Sequence, residues 1–153
     1  MQNIENARSQ QQKEDMEKLA EANACLFCKE GLTLTNKRVL FKGTHLYITP
    51  NDFPYKGVVH HVMVVPKRHI ITPEEMTSEE YEELFTVMLP WLRENLKMDG
   101  CSGLFRFGNT KRTGATINHF HIHFISGAEK ESKDHEPIMT LVGYKNTQPA
   151  SQP

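Results

Sequence analysis

Histidines occupy alternate positions, His119, His121 and His123, in the stretch Asn118 to Ser126, which reads N-H-F-H-I-H-F-I-S. In an extended segment, side chains alternate between faces, so the three imidazoles share one face while Phe120, Ile122 and Phe124 share the other. A solvated strand face needs only polarity, which Thr, Lys or Glu supplies. Imidazole at all three positions implies a metal site, a nucleophile, or both. Neutral imidazole is mostly unprotonated near neutral pH and attacks phosphorus readily.

Cys25 and Cys28 form a second chemical pair, in C-L-F-C. A redox pair needs a following helix whose N-terminus lowers a thiol pKa, and Gly31, Thr33 and Thr35 are poor helix formers; metal ligation is the better reading. Tetrahedral zinc then takes two further donors, which histidines on neighbouring strands supply. His69 closes the P-K-R-H strand end and His119 begins the triad, so Cys25, Cys28, His69 and His119 make a closed, structural site. If all three triad histidines held one metal, the cysteines would be left without a purpose.

Other polar groups are aimed at the same stretch. Gly108 to Gly114, G-N-T-K-R-T-G, is a polar loop entering the histidine-bearing segment. Lys111, Arg112 and the backbone N–H groups of Gly108 and Gly114 are candidates for phosphate oxygens. His60 and His61 sit inside V-V-H-H-V-M-V-V-P on opposite faces, so one of them points into a polar site or is a hydrogen-bonded core residue.

These groups need a scaffold. Val39 to Lys42 and Leu46 to Thr49 read as short strands around Gly43, and Val58 to Pro66 as a strand buried on both faces. Thr77-Ser78-Glu79-Glu80 is a capping box opening a helix whose apolar stripe is Tyr81, Leu84, Phe85, Met88, Trp91, Leu92 and Leu96; Pro90 should kink it. Gly103 to Phe107 reads as a strand, Gly127 to Pro137 as a charged loop, and Ile138 to Tyr144 as a last strand. Residues 1–22 form an extension, loose over its first dozen residues and helical around Met16, Leu19 and Ala20. Residues 23–144 form the domain, and residues 145–153 a disordered tail.

Composition sets the bounds. The 153 residues, 38% apolar and 24% charged, suit one domain with a real core. Eighteen basic against nineteen acidic side chains give a net charge of −1, so no global field draws the chain to a nucleic-acid polymer or an anionic membrane. There is no signal-type run and no apolar span of ~20 residues, and three cysteines do not make a disulfide framework. The expectation is a soluble, cytoplasmic protein.

H-F-H-I-H-F-I resembles the His-φ-His-φ-His-φ-φ motif (φ hydrophobic) of the histidine-triad family of nucleotide hydrolases and transferases. H-V-M-V-V-P-K-R-H resembles that family's G-H-x-L-V-I-P-K-R-H strand, C-L-F-C its C-x-F-C, and Gly114 to His119 its G-Q-[ST]-x-x-H, all in the family's order. The resemblance implies an α+β fold, an antiparallel sheet of about five strands against one long helix, assembled as a homodimer. It implies that His121 attacks the α-phosphorus of a nucleotide and forms a nucleotidyl-imidazole intermediate. His123 and His61 would bond phosphate oxygens, and Thr116 would sit near the leaving group. Zinc-binding members hold the ion through the positions of Cys25, Cys28, His69 and His119.

Some positions depart from the pattern. Ala115 stands where many members have Gln, as in branches acting on diadenosine polyphosphates. P-Y-K-G and Asn51 also resemble those branches, with Asn51 where they place a ribose-binding Asn. Val58, Val59 and His60 separate Gly57 from His61, and Asn109 is offset by one residue from a family Asn or Gln over the phosphate. Ser126-Gly127 replaces the common Pro-Arg. The resulting expectation is a zinc-stabilised nucleotidyl hydrolase acting on a small nucleotide conjugate, dinucleoside polyphosphate or phosphoramidate. The alternatives are a transferase or phosphorylase using phosphate, and a nucleotide-binding module with little turnover.

Overall fold

The apolar run that ends the V-V-H-H segment becomes the middle of a sheet. In the computed structural model, which describes residues 2–131 and 135–145, it forms β3 (His60–Pro66), hydrogen-bonded to a strand on each side. Around it lie β1 (Phe41–Lys42), β2 (Leu46–Pro50), β4 (Ser102–Phe105) and β5 (Ile122–Ser126), in the spatial order β1-β2-β3-β5-β4 with every pairing antiparallel. This is the expected α+β sheet of five strands.

Alternation along β3 divides its side chains between two cores. Val62 and Val64 join Leu46, Ile48 and Phe124 beneath the helical segment that follows, while Met63 and Val65 join Tyr47, Phe27, Met16 and Ile117 on the other face. The sheet is therefore covered on both sides, which is why its centre carries so few polar residues.

The first cover runs through α3 (Ser78–Glu83), a π-helical turn (Leu84–Met88) and α4 (Leu89–Leu96). Thr77 Oγ1 accepts from Glu80 N–H, and Glu80 returns to Thr77 N–H, as the capping box requires. Pro90, expected to kink the helix, follows a π turn in which Leu89 N–H reaches back to the Leu84 carbonyl. The wider turn keeps Glu80, Leu84, Met88 and Leu92 in one buried row and rotates Phe85, expected in the stripe, to 63% exposure.

The second cover is the N-terminal region. α1 (Gln10–Glu21), capped by Ser9, buries Met16 and Leu19, and α2 (Lys29–Leu34) follows the cysteine knuckle. The segment before α1, expected to be loose, is tied to the body. Gln2 bridges Ile117, Asn3 N–H donates to the Thr116 carbonyl at 2.8 Å, and Asn6 Nδ2 donates to the Ala115 carbonyl at 2.8 Å.

Three further differences concern extent. Asn118 to Ser126 is ladder-paired only from Ile122, leaving His119 and His121 in an irregular lead-in. Ile138 to Tyr144, expected as a strand, has none of the pairing of one. The polar loop from Gly108 contains a short helix, α5 (Thr110–Thr113). Residues 146–153 of the expected tail lie outside the described residues. No helix among the described residues is long and apolar enough to cross a membrane.

Candidate active site and metal cluster

The register of β3 against β5 brings the histidines together. Met63 faces His123 across the ladder and His61 faces Ile125, so His61 and His123 lie diagonally on one face. Their rings meet, with His61 Nε2 2.9 Å from His123 Nδ1. His60 pairs with Ser126 and faces the other way. Asn51 Nδ2 lies 3.0 Å from His61 Nε2, and its Oδ1 accepts from Phe53 N–H in an Asx turn, which fixes the amide's orientation.

His121 is held differently. Its Nδ1 lies 2.6 Å from the His119 carbonyl oxygen. A carbonyl only accepts, so Nδ1 carries the proton and Nε2 keeps its lone pair. The Phe27 ring of the knuckle packs on His121 at 4.9 Å between centroids, and the His123 ring lies at 4.8 Å.

Burial, together with nearby cations, keeps these imidazoles neutral. Burial is the main cause at each; Arg8, Arg106 and the neighbouring His121 add to it at His61, and Arg106 and Lys37 add to it at His121. Both are brought down to about 4. His123 is lowered further, by burial and then by His121, His61 and Arg106.

His121 and His123 open onto a cavity of about 440 Å³ whose walls include Asn51, Gly114, Thr116, Phe27, Tyr55 and Arg106. Apolar Leu26, Met63 and Ile117 and polar Asp15, Asp52 and Arg8 complete much of its lining. His61 does not line it and stands behind His123, Asn51 and Tyr55, which do. Gly114 ends α5 at a φ of +69°, a backbone that favours glycine. Asn109 caps α5, accepting from Lys111 N–H at 2.9 Å, and borders a separate, shallower depression. Lys111 and Arg112 are exposed and do not line the cavity.

Some of the lining was not legible as functional. Arg106 reads in the sequence as one polar position of L-F-R-F, and Arg8 belongs to an extension with no chemical motif. The only signal in the sequence for Arg106 is alternation with exposed Phe105 and Phe107, which puts it on the opposite face.

On the far side of Phe27 sits the second cluster. The ligand atoms of Cys25, Cys28, His69 and His119 all lie within 4.8 Å of one another. His119 Nδ1 is 3.5 Å from Cys25 Sγ and 3.7 Å from Cys28 Sγ, and His69 Nδ1 is 3.4 Å from Cys28 Sγ. Zinc bonds of about 2.3 Å to sulfur and about 2.05 Å to nitrogen at a tetrahedral angle separate S and N by about 3.6 Å. The four groups fit such an ion. His119 Nε2 lies 2.9 Å from the Pro66 carbonyl, so it carries the proton and leaves Nδ1 to the cluster.

Local chemistry builds this knuckle. Tyr47 OH donates to the Phe27 carbonyl at 2.8 Å, and Gly31 approaches so closely that a Cβ there would lie 1.9 Å from the Cys25 carbonyl oxygen. Arg68 forks onto Glu80 at 2.9 and 2.8 Å, tying the P-K-R-H strand end to the start of α3 and so setting His69. The helix judged unfavourable from Gly31, Thr33 and Thr35 does form, as α2 with Cys28 at its N-cap, because Gly31 is needed for this contact. The thiol is nonetheless not activated. Burial and then the adjacent Cys25 push Cys28 up to about 12, the reverse of a reactive redox thiol.

Residues 24–137 match the family described as scavenger mRNA decapping enzyme C-term binding. The chain belongs to this family, within the histidine-triad proteins. Solved structures with the same fold include a histidine triad protein from Clostridium difficile, at 18% identity with a TM-score of 0.54, covering 72% of this chain and 96% of that one. A histidine triad nucleotide-binding protein from Candida albicans is 18% identical over 85% of this chain and 86% of its own, with a TM-score of 0.56. A HIT family hydrolase from Legionella pneumophila is 22% identical over 72% of this chain and 97% of its own, with a TM-score of 0.50. At these identities the likeness establishes the histidine-triad fold.

Proposed function

We propose that this histidine-triad protein is a nucleotidyl hydrolase that works through a covalent nucleotidyl-His121 intermediate. The observation that carries the reading is the 2.6 Å contact from His121 Nδ1 to the His119 carbonyl, which leaves an unprotonated Nε2 beside a cavity of nucleotide size. The Legionella relative is described as a hydrolase and the Candida relative as nucleotide-binding, in keeping with this reading.

In the proposed cycle, the Nε2 lone pair forms a bond to the α-phosphorus and the bond to the leaving group breaks, its electron pair departing with that group. His123 and Asn51 orient the substrate, and Thr116 stands near the departing atom. Water then adds to phosphorus, the P–N bond returns its pair to Nε2, and one proton is released. His61 acts behind His123 as a positioning residue. Asn109, Lys111 and Arg112 reach substrate only if the loop around α5 closes over it, since they face away from the cavity.

Zinc is the cation that the Cys25, Cys28, His69 and His119 donor set suits, and its contribution there is structural, joining the knuckle to the sheet. β4 is a sheet edge bearing exposed Phe105, which favours pairing with a second copy as a homodimer. The test is to incubate the protein with an adenylate labelled at the α-phosphate and quench in base. Parent protein retains acid-labile label on His121, and His121→Asn retains none; label lost equally from both would refute the intermediate. Added phosphate that diverts product from the monophosphate to the diphosphate would favour the phosphorylase alternative.

A further inference from the structure

Arg106 follows β4, and its guanidinium turns inward while Phe105 and Phe107 face solvent. Nη2 donates to Tyr55 OH at 3.0 Å and to the Leu141 carbonyl, and Nη1 lies 3.5 Å from His123 Nε2. Nε is buried and has no partner among the described residues. Arg8 lies over the ring of the same tyrosine, with its guanidinium carbon 5.1 Å from the ring centroid and Nη2 donating to the Phe53 carbonyl at 3.0 Å. Its position is set by the N-terminal segment, which Asn3 and Asn6 fasten to the loop carrying Ala115 and Thr116.

Neither guanidinium pairs with a carboxylate among the described residues. The ion pairs among the described residues are Lys13 with Glu17, Lys37 with Asp52, and Arg68 with Glu80. Of the acids on the cavity wall, Asp52 is taken by Lys37, and Asp15 accepts from Gln11. Arg8, Lys37, Arg38 and Arg106 line the cavity against Asp15 and Asp52, Lys37 is taken by Asp52, and Arg106 keeps a desolvated N–H without a partner, so the wall carries an excess of positive charge. The phenol of Tyr55 reports the same field. Burial raises its pKa, yet hydrogen bonds from Thr140 and Arg106 and the charges of Arg106 and Arg8 outweigh that and lower it.

We infer that Arg106, at the Tyr55 hydroxyl, and Arg8, over its ring, clamp the phosphate oxygens beyond the phosphorus that His121 attacks and are the residues that favour a leaving group that is itself a phosphate. This rests on the hydrolase reading above and narrows it. As Nε2 bonds to the α-phosphorus, the bridging P–O bond breaks and its electron pair stays on the departing phosphate. That group leaves as an anion without needing a proton. A pair of guanidinium groups stabilises the charge as it develops. An amine leaving group presents no such oxygens to the two arginines.

Binding and turnover test this separately. In full-length His121→Asn protein at low salt, ADP is expected to bind at least about tenfold more tightly than AMP, because its second phosphate meets the clamp. Adding Arg8→Gln or Arg106→Gln should cut that advantage to below about threefold, with Arg106→Lys recovering part of it. An absent advantage, or one that survives both Gln substitutions, overturns the clamp. Should Arg106→Gln melt well below the parent, Arg8→Gln and Arg106→Lys decide. In turnover, parent protein should prefer diadenosine tetraphosphate to adenosine phosphoramidate, and Arg8→Gln should lower the preference at least about fivefold. If neither compound is cleaved while the ADP advantage responds to the arginines, the hydrolase reading fails and the clamp stands.

Discussion

His119 and His121 are two residues apart, yet they serve regions with opposite requirements. In the metal cluster, His119 donates its Nε2 proton to the Pro66 carbonyl and presents Nδ1 to two sulfurs. At the cavity, which it lines, His121 donates its Nδ1 proton to the carbonyl of His119 itself and keeps the lone pair on Nε2. Residue type is identical, and the difference lies in which ring nitrogen meets a backbone carbonyl. That carbonyl selects the tautomer, and the tautomer suits one ring to the proposed role of ligand and the other to the proposed role of nucleophile. Phe27, in contact with both rings, separates the two regions physically.

The largest effect should come from removing the proposed nucleophile alone. His121→Asn is expected to lower kcat/KM on any nucleotide substrate by at least about 10³-fold while leaving metal content unchanged. Steady-state kinetics alongside elemental analysis check it. Loss of metal in this variant would mean that the two regions are not separable. Cys25→Ser makes the reciprocal change: the cluster should lose its ion, and the melting temperature should fall by roughly 10 °C or more. Chelation of the parent should reproduce that drop, and unchanged thermal stability after verified metal removal would remove the structural role of the cluster.

A smaller effect isolates the knuckle's backbone. Gly31→Ala places a methyl group 1.9 Å from the Cys25 carbonyl oxygen and 2.6 Å from its carbon, and α2 has to move away from Cys25 to admit it. The expected cost is about 2–4 kcal/mol, a drop of roughly 5–10 °C in melting temperature. Metal affinity should fall with it, and kcat of the metal-loaded protein should change by less than about threefold if the cluster acts on stability alone. Calorimetry and metal competition give both numbers.

What the sequence discloses follows the same division. Periodicity is a local property, so the alternation of His123 with Ile122 and Phe124 was legible, as was the burial of the apolar run of β3 on both faces. Side-chain reach is not local. Arg106 is one charge in L-F-R-F, and only the packing of β4 beside β5 turns it toward Tyr55. Arg8 enters the cavity wall because residues from Gln2 to Asn6 pair with a loop more than a hundred positions away. Lys111 and Arg112 showed the opposite. They read as phosphate contacts from composition, but Asn109 at one end and Gly114 at the other wind the loop into α5 and turn them to solvent. Helix α2 was discounted on propensity, and a tertiary contact at Gly31 outweighed it. The strand expected at Ile138 to Tyr144 had the composition for β structure, but Leu141 is instead placed against Gly114 and Arg106.

The smallest effect separates the regions by pH. His61 stands apart from the metal ligands, and burial, with Arg8 and Arg106 adding to it, lowers its pKa from 6.5 to about 4. Between those values the unfolded chain binds a proton that the folded chain refuses. The stability His61 contributes is therefore fully present above about pH 6.5 and is lost as pH falls toward 4, by on the order of 1–3 kcal/mol for this one group. Acid also strips metal from thiolates, so the informative quantity is the difference between parent and His61→Gln. His61→Gln should be less stable at pH 7, because the contacts to His123 and Asn51 are altered, and its melting temperature should fall less steeply with acid than the parent's. Parallel curves for the two proteins would assign the whole acid sensitivity to the metal cluster and would show that His61 is protonated as easily in the fold as in the open chain.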